Sequence, residues 1–149
     1  MKLPSEDKYY KEAFKRNIGG VTEEEQQRLR DSTVAIAGMG GAGGYEVTTL
    51  ARLGFGKFHI ADMDRFDIVN VNRQIGAKRS NFGKEKAKVM EKEIKEINPY
   101  AKVKIFPKGF HKDNADEFLD GVDVAIDGLD FFNIEERTLY SRKAREKGI

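Results

Sequence analysis

The chain has 149 residues, with 27 Lys or Arg against 25 Asp or Glu and a net charge of +2. At roughly 100–200 residues per domain this is one domain, and 39% apolar with 35% charged residues marks a folded globular chain, not a disordered one. The absence of cysteine excludes disulfides, cysteine-ligated zinc and a thiolate nucleophile or thioester carrier within it. No apolar run reaches the ~18–20 residues of a membrane span. The opening MKLPSEDKYYKEAFKR lacks the apolar core of a secretory signal. The expectation is a soluble, cytoplasmic protein, and a charge this small does not argue for nucleic acid by itself.

Residues 6–16 have weak helical spacing, broken by Gly19 and Gly20. Thr22 and Glu25 form a capping box that opens a second short helix, through about Arg30. TVAIAG at 33–38 is a β-branched apolar run suited to a buried strand. GMGGAGG follows, then a helix ending at Gly54. KFHIAD (57–62) reads as the second strand and 63–83 as a long irregular stretch, a length that is usually functional. Residues 84–97 form a strongly amphipathic helix, stopped by Asn98-Pro99. KVKIFP (102–107) is a third strand, 114–119 a short helix, VDVAID (122–127) a fourth strand, and 134–147 a last helix. Strands alternating with helices imply right-handed βαβ units. The fold expected is α/β: a Rossmann-like three-layer α/β/α with a mainly parallel sheet and short N-terminal helices. An N-terminal helical arm (1–32) precedes a nucleotide-binding domain (33–149). Gly148-Ile149 is how another strand would begin, so the domain reads as incomplete.

Gly38-x-Gly40-x-x-Gly43 joins a strand to a helix, and Asp62 stands 19 residues after Gly43. That is the arrangement for a nucleotide. The first Gly allows the tight turn, the second the approach of a phosphate or ribose, the third close helix–strand packing, and the acid takes ribose hydroxyls. The ordinary reading is a glycine-rich turn without ligand. A helix N-terminus supplies only about half a positive charge. That is enough for the pyrophosphate of NAD or FAD, but a triphosphate needs several cations and usually Mg²⁺.

Such cations are present. Asn70-Val71-Asn72-Arg73-Gln74 is followed by Lys78, Arg79, Lys84 and Lys86. Arg73 would fork onto two phosphate oxygens and Lys86 act as a point charge near a helix start. At ~4 Å and an effective dielectric near 20, each contact is worth about 4 kcal/mol before desolvation. Asn70 and Gln74 would position oxygens through neutral hydrogen bonds. Lys84, Lys88 and Lys92 read instead as a solvated helix face paired with Glu. The fourth strand ends Asp127-Gly128-Leu129-Asp130. The carboxyl ends of parallel strands line the ligand crevice, so both acids are expected beside the glycine loop. Asp130 is then either a Mg²⁺ ligand, which reconciles an acid with a triphosphate, or a turn-capping aspartate.

Together these segments resemble the ubiquitin-activating (E1)-like family in its bacterial ThiF/MoeB/HesA branch. The matching pieces are Arg16-Asn17-Ile18-Gly19, GMGGAGG, DMD (62–64), NVNRQ (70–74), GKEKA (83–87), INP (97–99) and DGLD (127–130). The resemblance implies ATP-dependent adenylation of a carboxylate, typically the C-terminal Gly-Gly of a small ubiquitin-like carrier protein. It implies a nucleotide-binding set of Gly38, Gly40, Gly41, Gly43, Asp62, Asp64, Asn70 and Gln74. Arg73, Lys86 and Asp130 would be catalytic, with Asp130 holding Mg²⁺. Arg16 would reach the phosphates of a partner subunit in a homodimer. The attacking carboxylate needs no general base, so catalysis is positioning plus cationic stabilisation. Phe131 and Phe132 depart from the family pattern, which often has Asn or Ser after the second acid. The family's zinc-binding C-x-x-C pairs and later catalytic Cys are absent. NxNRQI and INP equally resemble the branch that cyclises a modified adenosine in tRNA, with tRNA as partner. An NAD- or FAD-binding Rossmann module and a non-catalytic interaction domain are the remaining alternatives.

Overall fold

The computed structural model describes residues 3–149. Two helices open it, α1 (Glu6–Ala13) and α2 (Glu23–Asp31), the latter capped by the reciprocal Thr22–Glu25 bonds expected from the sequence. Four strands follow, β1 (Thr33–Ala37), β2 (Lys57–Ala61), β3 (Lys102–Phe106) and β4 (Val124–Asp127), separated by α3 (Gly41–Leu53), α4 (Lys86–Ile97) and the short α5 (Ala115–Phe118). A last helix, α6 (Ile134–Glu146), follows β4. All strand pairings are parallel, in the order β3-β2-β1-β4. This is the α/β Rossmann-like sheet that the alternation predicts.

Alternation along β1 sends side chains to opposite layers. Val34 and Ile36 join Phe58, Ile60, Val47 and Met90 beneath α3 and α4. Ala35 and Ala37 meet Phe106, Phe118 and Tyr140 beneath α5 and α6. The small residues of β1 leave room there for an aromatic cluster, in which Phe106 and Phe118 stack edge to face at 4.9 Å. Tyr140 Oη donates to the Ala35 carbonyl at 2.9 Å. The N-terminal helices are stitched to the domain. Tyr9 Oη donates to the Ile97 carbonyl, and fully buried Asn98 donates to Tyr10 Oη at 2.8 Å and to the Phe55 carbonyl.

Several boundaries differ from the sequence reading, each for a tertiary reason. α3 begins at Gly41, four residues before Tyr45, because the glycine run is itself the first helical turn. α4 begins at Lys86 and not at 84, because residues 83–85 pair with 65–66 instead. Phe66 N–H donates to the Lys84 carbonyl, Gly83 N–H to the Phe66 carbonyl, and Arg65 bridges to Glu85. The stretch 63–83 holds two 3₁₀ turns, Ile68–Asn70 and Arg79–Asn81. The register puts Ala37 level with Ala61 and Asp127, and Ala61 level with Phe106. All four strands therefore release their chains along one edge. β1 lies between β2 and β4, where the strand order reverses, and in such sheets that is where ligands bind.

Candidate active site

A cavity of about 560 Å³ opens at that edge. The loop after β1 supplies one wall. Gly38 has φ +92°, and a Cβ there would lie 2.2 Å from the Gly128 carbonyl oxygen. A Cβ on Gly43 would lie 1.8 Å from the Gly38 carbonyl oxygen. Gly43 thus serves helix–strand packing and does not line the cavity, whereas Gly38, Gly40 and Gly41 do.

Asp62 leaves β2 beside this loop. Its Oδ2 accepts from Met39 N–H at 2.7 Å and its Oδ1 from Asp64 N–H at 2.8 Å. Burial pushes its carboxyl above the usual aspartate value, while the two N–H donors and Lys86 pull it back. Lys86 heads α4. Its side chain is 7% exposed and its Nζ lies 3.0 Å from Asp64 Oδ2. Arg73, exposed and in no ion pair among the described residues, donates to the Val69 carbonyl and Asn72 Oδ1 at 3.1 Å each. Gln74 is buried next to Gly40, and its Oε1 has no hydrogen-bond partner among the described residues.

Asp130 contributes from the β4 side. Its Oδ1 caps a turn by accepting from Phe132 N–H at 3.0 Å, while its exposed carboxylate lines the cavity. Asp127, also expected to face the ligand crevice, does not line the cavity: its carboxylate turns to α6, accepting from Arg137 Nε at 2.8 Å and from Leu129 N–H at 3.1 Å. Arg73, Gln74, Lys86, Asp62, Asp64 and Asp130 thus line one cavity.

Two other expected residues lie elsewhere. Asn70 is buried and shapes the loop: its Oδ1 accepts from Asp67 N–H, and its carbonyl accepts from Arg73 and Gln74 N–H. Arg16 is exposed on the 3₁₀ turn Lys15–Asn17, outside the cavity of its own chain. Lys88 and Lys92 pair with Glu85 and Glu96 on the helix surface, as expected. The sequence reading missed Lys108 and His111, which line the cavity from the loop after β3. Their signal was position alone, just past a strand's carboxyl end. Among the described residues no group of three His, Asp or Glu side chains is poised to hold a metal ion.

The sequence pattern of the ThiF family matches residues 14–149. The chain belongs to the ThiF family. It is 37% identical over 118 residues to the tRNA threonylcarbamoyladenosine dehydratase of Bacillus subtilis, covering 78% of this chain and 46% of that one. It is 30% identical over 126 residues to the sulfur carrier protein adenylyltransferase of Thermus thermophilus, covering 85% and 45%. The structure of the Escherichia coli tRNA threonylcarbamoyladenosine dehydratase with ATP superposes with a TM-score of 0.90 at 29% identity, over 99% of this chain and 60% of that one. The chain spans about half the length of the curated relatives it matches.

Proposed function

We propose that this chain is the nucleotide-binding part of an ATP-dependent enzyme that adenylates a carboxylate. The observation that carries the reading is the meeting of Arg73, Lys86 and Asp130 in one cavity with the glycine loop and Asp62. A triphosphate carries more anionic oxygens than the pyrophosphate of NAD and makes fuller use of those cations. Asp62 accepts the ribose hydroxyls and the start of α3 faces the phosphates. A carboxylate oxygen attacks the α-phosphorus, the bond from that phosphorus to the β-phosphate oxygen breaks, and pyrophosphate leaves with the electron pair. Arg73 and Lys86 stabilise the charge that gathers on the phosphoryl oxygens.

One acidic side chain suits Mg²⁺, which keeps several waters and takes further ligands from phosphates. Asp130 would hold it, and the ion would neutralise charge on the leaving pyrophosphate. Arg16, outside its own cavity, serves that of a second copy in a homodimer. The enzyme is cytoplasmic, consistent with no described helix being long and apolar enough to cross a membrane.

The carboxylate is the C-terminal glycine of a ubiquitin-like sulfur-carrier protein. A second reading is favoured by relatives at 34–37% identity: threonylcarbamoyladenosine in tRNA. Calorimetry with ATP–Mg²⁺ and with NAD tests the nucleotide, and tighter NAD binding refutes adenylation. ATP–pyrophosphate exchange by the full-length protein, driven by a carrier ending in Gly-Gly or by modified tRNA, separates the two substrates. Exchange with neither carboxylate would defeat both.

A further inference from the structure

The cavity holds a nearly enclosed ammonium before any ligand arrives. Lys86 is 7% exposed on its side chain, and a buried charge without a partner is costly. Its ion-pair partner is Asp64 Oδ2 at 3.0 Å. Asp62 lies close enough to feel the Lys86 charge, but among the described residues the ion pair is made with Asp64. Asp64 is tied to Lys86 twice, because its carbonyl also accepts the Lys86 backbone N–H at 2.9 Å. The link then runs back through Asp64 N–H to Asp62 Oδ1, and from Asp62 Oδ2 to Met39 N–H in the glycine loop.

The two partners are unequal. The Asp64 side chain is 62% exposed against 7% for Lys86. If the pair parts, Asp64 regains water at little cost, while Lys86 needs another anion. A phosphoryl oxygen is such an anion, with the charge and acceptor geometry that a carboxylate imitates.

On the adenylation reading, we infer that Asp64 is the resident counter-ion of Lys86 and not a ligand of nucleotide or metal. It is a positioning residue that holds the ammonium in place and yields it to an arriving phosphate. Its negative charge therefore opposes phosphate binding, and removing that charge strengthens binding. Loss of a ligand or a merely structural bond would weaken it, so the sign of the effect decides.

The full-length protein is titrated calorimetrically with ATP–Mg²⁺ and, separately, with inorganic pyrophosphate. Asp64→Asn is expected to tighten both by about three- to tenfold, from the repulsion it removes. Asp64→Glu keeps the charge and is expected to stay within about twofold of wild type. Lys86→Gln is expected to weaken both at least about tenfold. Weaker or unchanged binding in Asp64→Asn, with normal wild-type binding, overturns this inference and leaves the adenylation reading standing. So does Asp64→Glu behaving like Asp64→Asn. A folded wild type that binds neither ligand overturns both.

Discussion

On the β1–β2 side of the cavity, Asp62 is fixed by two backbone N–H groups and Lys86 is 7% exposed in an ion pair. On the β4 side, Asp130 is exposed and is followed by Phe131 and Phe132, 73% and 84% exposed. The first wall is held by bonds within the protein itself. Beside the second lie two aromatic rings that stay mostly exposed among the described residues. The contrast follows the division of labour in the proposed reaction. A nucleotide is one ligand of constant chemistry and rewards a wall built in advance. In that proposed reaction the carboxylate belongs to a macromolecule, which would meet a surface that can differ while the nucleotide wall stays.

The sharpest attempt to break this contrast is Lys86→Ala, and Asp130→Ala from the other wall. Each is expected to lower ATP–pyrophosphate exchange by at least about a hundredfold, the scale of losing one transition-state contact. Retained exchange in either variant removes that residue from its role. Next comes the packing under the first wall. Gly43→Ala places a Cβ 1.8 Å from a backbone oxygen, so chemical denaturation should show a loss of about 2–4 kcal/mol. A protein as stable as wild type would mean that the glycine loop is not held as described.

Acidity probes the same wall more gently. Burial raises the Asp62 carboxyl, so the native state keeps its proton at higher pH than the unfolded chain does. The linked stability is full below the unfolded value and is lost as pH rises through the folded one. Thermal melts from about pH 4 to about pH 6 should show this slope, and Asp62→Asn should flatten it. The smallest effect belongs to the second wall. Phe131→Ser with Phe132→Ser should leave stability within about 0.5 kcal/mol and ATP affinity unaltered in calorimetry. A large loss of either would show that the exposed wall is part of the nucleotide site.

The sequence alone determined the layer order, the glycine turn, the acid closing β2 and the helix stop at Asn98-Pro99. These follow from local rules: periodicity, glycine sterics and capping chemistry are written within a few residues of where they act. Only the tertiary structure decided which side of the fold each charge joins. Asp127 and Asp130 are three residues apart, yet one pairs with Arg137 on α6 and the other lines the cavity. Asn70 reads as a ligand in the sequence and is a loop brace in the fold. Lys86 meets Asp64 across 22 residues because the 83–85 segment pairs with 65–66. Lys108 and His111 enter the cavity through β3, whose place in the sheet no local pattern states. Long-range pairing sets these partners, and its free energy depends on the whole packed arrangement, not on the identity of any one residue.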